Sequence, residues 1–464
     1  MRNDRLWALL TLALLILFVL ATGAVARDVI AARPPETVPV PVAVAETVPL
    51  PASTDAEAVD PARLADKLDD PMAQSGIVEG LSAYVVDAET HQELYARDAD
   101  EGVVPASTTK VVTAVAVLHE VGPDARIETR VVRGAAPDEV VLVGGGDPTL
   151  TENADPDRYP RLASLEELAD QTAQALAEAG VTTVRLGYDD SAYTGDSLGP
   201  GWKQGYIDEG STAAVHALML DCGIAEVVDE CGRIGLPSES KYGTRVSDPP
   251  LAAAEAFARK LEQAGVTVAG TPQAVQAPQD AEPLATASSP PISALVEKTL
   301  MDSENNVAEA LARQVAIARG EEPSFEGAAR AVMAVMDELG VTGVQVSDGS
   351  GLSVDTRITS RALAELLVLA TDPDRPELYP TLSGLPTAYA TGSLAGRYSP
   401  ESGAAGGAGV IRAKTGTLNE VSALAGTIYT AQGRLLVFAF VANHPAATGS
   451  ALDTLAAAVA ECGC

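Results

Sequence analysis

A serine and a lysine stand three positions apart at the start of an apolar run. They are Ser107 and Lys110 in "VPASTTKVVTAVAVLHEVG", residues 104–122. The run predicts a helix over residues 109–121, which ends at a Gly-Pro pair. One helical turn from Ser107 to Lys110 places both side chains on the same face, so the amino group can reach the hydroxyl.

This pair has the chemistry of a nucleophile and its base. A serine hydroxyl is a poor nucleophile until a neighbouring group takes its proton. A lysine can take that proton when burial and nearby groups lower the pKa of its amino group. The first turn of a helix also offers free backbone N–H groups where an oxyanion can bind.

The spacing alone is weak evidence, because it also occurs by chance. A second match, Ser238 and Lys241, lies in "GLPSESKYGTRVSDPP", and no apolar run follows it. We interpret that match as an exposed loop. For Ser107 and Lys110 the plain alternative is a helix cap beside a surface lysine.

Two later stretches favour an active site. Ser303 and Asn305 stand in "MDSENNVAEAL", at a predicted turn between helical segments. Lys414, Thr415 and Gly416 open a predicted strand in "RAKTGTL". Each stretch alone is explained by a helix cap or by a strand start with an exposed lysine. In this order, however, Ser-x-x-Lys, Ser-x-Asn and Lys-Thr-Gly form the set found in penicillin-binding proteins and some β-lactamases, where the middle motif has Asp.

The histidines argue against a Ser-His-Asp hydrolase. The chain has four, His91, His119, His216 and His444. No glycine-flanked nucleophile elbow is present to partner any of them. We expect His119, inside the apolar run, to be a packed or partly exposed residue and not a base.

The motifs need elements that hold them together. Alternating apolar positions predict strands over residues 80–107, 126–150 and 410–445. Helix–turn–strand patterns cover residues 164–190 and 250–270. A helix broken by a polar turn covers residues 292–318, and residues 450–463 predict a last helix.

At this point the chain resembles a known family, the class C low-molecular-mass penicillin-binding proteins, which are D-alanyl-D-alanine carboxypeptidases and endopeptidases. The likeness covers residues 60–464. It includes three further signatures, "GGGDPTL" at 144–150, "DGSGLS" at 348–353 and "TGSLAGR" at 391–397. The interval from Lys110 to Ser303 is 303 − 110 = 193 positions, which leaves room for an insertion that class A β-lactamases lack.

The resemblance implies an α/β (α+β) fold. A β-lactamase/transpeptidase-like domain, with an antiparallel sheet flanked by helices, would carry an inserted α/β domain. We expect the catalytic domain to comprise residues 60–135 and 285–464, with residues 136–284 as the insertion.

The resemblance also implies the catalytic roles. Ser107 would attack the carbonyl of the penultimate D-alanine and form an acyl-enzyme, while Lys110 takes its proton. Ser303 would relay a proton towards the leaving amine, with Lys414 nearby. Water would then deacylate the serine.

The same likeness assigns the substrate contacts. Asn305 would hold the substrate amide. Lys414 and Thr415 of the Lys-Thr-Gly motif, whose glycine is Gly416, would meet the terminal carboxylate together with Thr417. The backbone N–H groups of Ser107 and Thr417 would form the oxyanion hole.

In some relatives the Asp of the "GGGDP" loop and an Arg after "DGSGLS" bind the free end of a diaminopimelate side chain. The matching residues here are Asp147 and Arg357. The alternative is that Asp147 caps a turn and Arg357 makes a structural salt bridge.

The predicted function is a serine-type D-alanyl-D-alanine carboxypeptidase that acts on peptidoglycan stem peptides and is inhibited by β-lactams. Endopeptidase action, a β-lactamase, a penicillin-sensing wall-binding domain without turnover and an esterase remain alternatives. No class A general-base glutamate motif is recognisable, which disfavours the β-lactamase. The three intact motifs disfavour the sensor, and no cofactor or metal is expected.

The net charge and the N-terminal segment indicate which partners and which compartment to expect. The net charge of −33 disfavours a nucleic-acid binder, which would be expected to show a basic patch instead. Residues 1–30 contain an uncharged stretch, 6–26, that is long enough to span a bilayer and ends in the small-residue pattern Ala-Val-Ala. We favour a retained anchor over a cleaved signal peptide; either places the rest of the chain outside the cytoplasmic membrane. The proline-rich residues 31–59 predict a stiff linker.

Export makes disulfides possible. The cysteines are Cys222, Cys231, Cys462 and Cys464, an even number. Three pairings exist, and we favour Cys222 with Cys231, which closes a short local loop. A metal site is disfavoured because no histidine lies near any of the four.

Overall fold

The helices and strands begin where the sequence offers local start signals. The computed structural model describes residues 56–225 and 244–463, with the backbone of two short strands between these ranges. The helices are α1 (Pro61–Ser75), α2 (Thr109–Glu120), α3 (Leu165–Glu178), α4 (Gly205–Asp208), α5 (Pro249–Gln263), α6 (Ile292–Asp302), α7 (Asn305–Arg319), α8 (Phe325–Glu338), α9 (Ser360–Thr371), α10 (Pro380–Ser383) and α11 (Gly449–Ala460).

The strands follow the same chain order. They are β1 (Leu81–Asp87), β2 (Glu93–Arg97), β3 (Glu128–Arg133), β4 (Glu139–Val143), β5 (Thr183–Asp189), β6 (Val227–Val228), β7 (Ile234–Gly235), β8 (Thr267–Val268), β9 (Gln273–Ala274), β10 (Pro283–Ser288), β11 (Val344–Gln345), β12 (Arg357–Ile358), β13 (Ile411–Leu418), β14 (Val421–Tyr429) and β15 (Leu435–Asn443).

Side-chain caps explain several of the helix starts. A Ser, Thr or Asp side chain accepts a hydrogen bond from a backbone N–H of the first turn, which satisfies a donor that the helix leaves free. These caps are Asp60, Ser164, Asp248, Ser324, Thr359 and Thr448.

The first sheet is antiparallel and buried on both faces. Its strand order is β13-β14-β15-β1-β2. Along β15, Val437, Ala439 and Val441 pack into a core that includes α2, α7, α8 and α9. The alternate residues Phe438 and Phe440 pack into a core on the other face, with α1 and α11. This alternation is the two-residue period of a strand, and it confirms the predicted antiparallel sheet flanked by helices.

The second sheet is mixed and belongs to the inserted region. Its strand order is β10-β3-β4-β5-β8; β4, β5 and β8 run parallel, while β3 pairs antiparallel with both β4 and β10. Helices α3 and α5 cover it with a separate apolar core. The sheet spans residues 128–288, wider than the expected insertion of 136–284. The reason is that the first and the last strand of this sheet along the chain, β3 and β10, pair with each other, so the chain enters and leaves the sheet on neighbouring strands.

The expected anchor and most of the expected linker lie outside the described residues. Within 56–225 and 244–463, no helix combines the length and the apolar character needed to cross a bilayer. The described residues from 56 onward belong to one compact unit.

The cysteine prediction needs a correction. Cys222 is a free, buried thiol, so the favoured disulfide with Cys231 is not formed, and Cys231 itself lies outside the described residues. Cys222 stands in a tight 3₁₀ turn and packs into the apolar core beside α2, where burial raises the pKa of its thiol well above the usual value. Cys462 is disulfide-bonded.

Candidate active site

The serine of the first motif stands where a tight turn feeds a buried helix. Ser107 is the middle residue of a 3₁₀ turn, Ala106–Thr108, and α2 follows at Thr109. The helix ends at Glu120, within one residue of the predicted end. Its first ten residues are all buried, which fixes the direction in which the turn presents Ser107.

Lys110 is fully buried directly behind this serine. Its Nζ lies 3.0 Å from Ser107 Oγ, 2.7 Å from Asn305 Oδ1 and 2.7 Å from the Ser350 carbonyl oxygen. A neutral amine has two hydrogens and one lone pair. If the amide oxygen and the carbonyl take the hydrogens, the lone pair faces the hydroxyl of Ser107. This is the geometry that a general base needs.

A second serine and lysine, Ser303 and Lys414, form another hydrogen-bonded pair. Ser303 follows the end of α6 in a left-handed conformation, with φ of 59°. Its Oγ lies 2.8 Å from Nζ of Lys414, which is fully buried and also donates to the Thr415 carbonyl oxygen at 2.8 Å. Glu304 caps α7 by accepting from the N–H of Asn306 at 3.3 Å. The predicted turn between two helices is confirmed.

The strand that carries the third motif runs beside the Ser107 turn. A Cβ at Gly416 would lie 2.8 Å from the Pro105 carbonyl oxygen and 3.1 Å from the Ser107 nitrogen. Only a glycine therefore lets β13 approach the turn this closely. The neighbouring Thr415 hydroxyl lies 2.8 Å from the hydroxyl of Ser393, in the "TGSLAGR" signature.

These groups border one cleft of about 640 Å³. The expected site residues that line it are Ser107, Ser303, Asn305, Thr415 and Thr417. Lys110 and Lys414 stand behind their serines, buried. The histidines, all four within the described residues, are absent from the lining, in agreement with the argument against a Ser-His-Asp site.

Comparison with known proteins decides the family. The family model for the D-Ala-D-Ala carboxypeptidase 3 (S13) family matches residues 64–235 and 234–461. The chain belongs to this family. It is 36% identical over 394 residues to a carboxypeptidase of Mycobacterium tuberculosis, covering 83% of this chain and 81% of the relative. It is 35% identical over 390 residues to carboxypeptidase DacB of Mycolicibacterium smegmatis, with the same coverages.

A solved structure supports the fold of this S13 carboxypeptidase. Penicillin binding protein 4 of Haemophilus influenzae superposes with a TM-score of 0.62 at 20% identity, over 86% of this chain and 98% of that one. The predicted transpeptidase-like fold with an insertion is therefore confirmed at the level of architecture.

The insertion of the enzyme supplies part of the cleft wall. Lys203, Tyr206, Glu209 and Ser211 line the cleft from that side. The Ser211 carbonyl oxygen accepts from Asn305 Nδ2 at 2.8 Å. The side chain of Asn305 is thus held at both ends, by Lys110 and by the insertion.

A further contact fixes the start of α7, the helix that begins at Asn305. Asn306 is buried, and its Oδ1 accepts from the Ala213 N–H at 3.0 Å while its Nδ2 donates to the Ala213 carbonyl oxygen at 3.1 Å. The insertion therefore sets the position of the residue next to Asn305.

Asp147 is not brought to the cleft. It is buried, and its Oδ1 accepts from the Thr149 N–H at 2.8 Å and the Thr149 hydroxyl at 2.6 Å. This is the turn cap that was the alternative prediction. Burial raises the pKa of its carboxyl to about 6.

Arg357 is an exposed residue at the start of strand β12. Its guanidinium donates to the carbonyl oxygens of Val354 at 2.7 Å and Thr356 at 2.8 Å. Neither Arg357 nor Asp147 is among the described residues that line the cleft. Each side chain is hydrogen-bonded within its own loop, and their expected role at a diaminopimelate side chain stays a prediction.

The "DGSGLS" loop has a structural role that the sequence did not assign. The carboxylate of Asp348 accepts from the N–H groups of Gly351 at 2.9 Å and Ser353 at 2.7 Å, and from Trp202 Nε1 at 2.8 Å. Burial raises the pKa of this carboxyl. The loop so formed delivers the Ser350 carbonyl to Lys110. The family signature was the only sequence signal for it.

Proposed function

We propose that the enzyme removes the terminal D-alanine from peptidoglycan stem peptides through an acyl-enzyme on Ser107. The observation that carries the proposal is the 3.0 Å contact between the buried Lys110 amine and Ser107 Oγ in the cleft. A helix cap beside a surface lysine would leave the amine of Lys110 in solvent. A buried amine in contact with the hydroxyl is the arrangement that activates a serine nucleophile.

The acylation step follows from these positions. Lys110 takes the proton of Ser107, and Oγ attacks the carbonyl carbon of the penultimate D-alanine. Backbone N–H groups at Ser107 and Thr417 stabilise the oxyanion. When the C–N bond breaks, Ser303 gives its proton to the leaving amine, and Lys414 replenishes it across their 2.8 Å hydrogen bond.

Deacylation restores the enzyme. Exchange with solvent first returns a proton to Lys414 and removes the one that Lys110 took, so both lysines are reset. A water molecule then loses a proton to Lys110 as it attacks the ester carbonyl, and Lys110 gives that proton to Ser107 Oγ as the ester bond breaks. The products are the shortened peptide and free D-alanine. The hydroxyls of Thr415 and Thr417 and the charge of Lys414 suit the carboxylate of the departing D-alanine.

The same groups suit a β-lactam, which presents a strained amide and a carboxylate. A penicillin would acylate Ser107 as the peptide does. Slow hydrolysis of this adduct distinguishes a penicillin-binding peptidase from a β-lactamase, and cleavage of D-alanyl-D-alanine peptides distinguishes it from an esterase or a sensor domain.

The first experiment is intact mass after incubation with benzylpenicillin. The wild type should gain one penicilloyl group that persists over hours, and Ser107→Ala should gain none. Ser238→Ala, at the other Ser-x-x-Lys match, is the matched control and should be acylated like the wild type. An adduct that forms in Ser107→Ala, or none in the wild type, contradicts the assignment of Ser107.

We also propose that the cleft works outside the cytoplasmic membrane, held there by residues 1–30. The support is the apolar stretch 6–26 and the proline-rich segment after it. The substrate chemistry agrees, because peptidoglycan is an extracytoplasmic polymer.

A further inference from the structure

Behind the cleft lies a buried acid that the mechanism above does not use. Glu309 stands on α7, four residues after Asn305, so the two side chains share a helix face. It is only 1% exposed. Its Oε1 accepts from the N–H groups of Ser350 at 2.8 Å and Gly349 at 3.1 Å, and its Oε2 accepts from Gly349 at 3.1 Å.

These hydrogen bonds act on the residue that contacts Lys110. The Ser350 N–H binds Glu309, and the Ser350 carbonyl oxygen receives a hydrogen from Lys110 at 2.7 Å. Thr113, on α2, holds the Gly349 carbonyl oxygen at 2.6 Å. The backbone of the loop is therefore fixed on one side by α7 and on the other by α2.

The direction of the Lys110 lone pair depends on this loop. If the Ser350 carbonyl moved, the Lys110 amine would lose an acceptor that helps to orient it. A small displacement of a catalytic group can cost a large part of the rate.

We propose that Glu309 is a positioning residue for acylation: its carboxyl oxygen fixes the Ser350 carbonyl, which keeps the lone pair of Lys110 aimed at Ser107 Oγ. The inference rests on the proposed function of Ser107 and Lys110. It assigns to Glu309 no contact with substrate.

The surroundings of Glu309 indicate that its oxygen matters more than its charge. Arg313 Nη1 lies 3.6 Å away, and the Arg313 guanidinium stacks over the rings of Tyr193 at 5.1 Å and Phe325 at 4.1 Å. Burial and the nearby Asp348 raise the pKa of Glu309 to about 7, against the opposing effect of Arg313. In either protonation state the carboxyl keeps an oxygen that can accept from the Ser350 N–H.

Two conservative variants of Glu309 separate the effect of its side-chain length from the effect of its negative charge. Glu309→Gln keeps an amide oxygen within reach of the Ser350 N–H but removes the charge. Glu309→Asp keeps the charge but is one methylene shorter. We expect the rate constant of penicilloyl formation in Glu309→Gln to stay within about threefold of the wild type, and that of Glu309→Asp to fall about tenfold or more.

The measurement is stopped-flow acylation by benzylpenicillin at several drug concentrations, which separates the acylation rate constant from non-covalent binding. The binding constant should be unchanged in both variants. The matched control is Asp87→Asn, which removes another buried carboxylate from an ion pair, with Arg434 on the first sheet. It should lower the melting temperature without slowing acylation.

The proposal is overturned if Glu309→Asp acylates like the wild type, because the length of the side chain would then not matter. It is overturned as well if Glu309→Gln slows as much as Glu309→Asp, because an oxygen within reach of the Ser350 N–H would then not be enough. It is also overturned if Asp87→Asn slows acylation as much as Glu309→Asp, because the loss would follow stability. A wild type that forms no adduct would instead sink the proposed function itself, so the two failures are distinguishable.

Discussion

At the scale of single residues, the site consists of two serine–lysine pairs that face one cleft. The sequence spacing predicted the pair Ser107 and Lys110, because three positions are one helical turn. The Ser303 and Lys414 contact joins residues 111 positions apart, and only the resemblance indicated it. Ser350 could not be predicted, because it acts through a backbone carbonyl that leaves no mark on residue type. Glu309 reads in the sequence as an ordinary polar helix position.

Asp147 allows a residue-scale prediction from its buried carboxyl. One oxygen binds Thr149, and the other, Oδ2, is buried without a hydrogen-bond partner. Because its folded pKa of about 6 is above the unfolded value of 3.8, its contribution to stability is full below about pH 4 and is lost as the pH rises through about 6.

We therefore expect Asp147→Asn to be more stable than the wild type at pH 7, by about 2–3 kcal/mol at most. The difference should vanish near pH 4, where the wild-type carboxyl is protonated. Urea unfolding at pH 4, 5, 6 and 7 measures it. Loss of cleavage of diaminopimelate-containing peptides, with unchanged acylation by benzylpenicillin, would instead favour the substrate-binding role of Asp147.

At the scale of elements, the site depends on how closely a strand approaches a turn. The sequence predicted α2, the turn between α6 and α7, and the hairpin strands β13 to β15, because caps, glycines and alternation mark them. Helices α8 and α9 carry no chemical motif and serve the core beside α2. The distance between β13 and the Ser107 turn was not predictable, since it depends on tertiary packing.

A substitution at Gly416 tests whether the close packing of β13 against the Ser107 turn is needed. In Gly416→Ala the new methyl would lie 2.8 Å from the Pro105 carbonyl oxygen and 3.1 Å from the Ser107 nitrogen, so the strand or the turn has to shift. We expect acylation by benzylpenicillin to slow about tenfold or more, because the oxyanion site spans both elements. The stability loss should be about 1–3 kcal/mol.

The matched control for this prediction is Gly403→Ala, where the added Cβ would meet only the Thr454 hydroxyl at 4.0 Å. Its acylation rate constant and melting temperature should equal those of the wild type. A Gly416→Ala enzyme with wild-type kinetics would mean that β13 and the turn are not closely coupled.

At the scale of the whole molecule, the insertion is part of the active site and not an appended domain. It contacts the loop that carries Ser350 through Trp202 to Asp348, 146 positions apart, and the residue next to Asn305 through Ala213 to Asn306, 93 positions apart. Contacts at such separations have no local sequence signal. What the sequence did indicate was room for an insertion, from the interval of 193 positions between Lys110 and Ser303.

The net charge and the N-terminal segment also act at this scale. A charge of −33 favours solubility and repels polyanions, so the apolar stretch 6–26 is the feature that would keep the chain at a membrane. The stretch is longer than the apolar core of a typical signal peptide, which is the reason to expect retention.

The last prediction concerns this retention in a bacterial host. The full-length chain should stay in carbonate-washed membranes with an uncut N-terminus by intact mass, and protease added to spheroplasts should digest it. A variant without residues 6–26 should be soluble and protected inside the cell, although its purified form should still be acylated by benzylpenicillin. A soluble exported chain that begins at Arg27 would replace the anchor by a cleaved signal. A full-length chain that is protected in spheroplasts would contradict export altogether, since the linker and the cleft would then lie on the wrong side of the membrane for a peptidoglycan substrate.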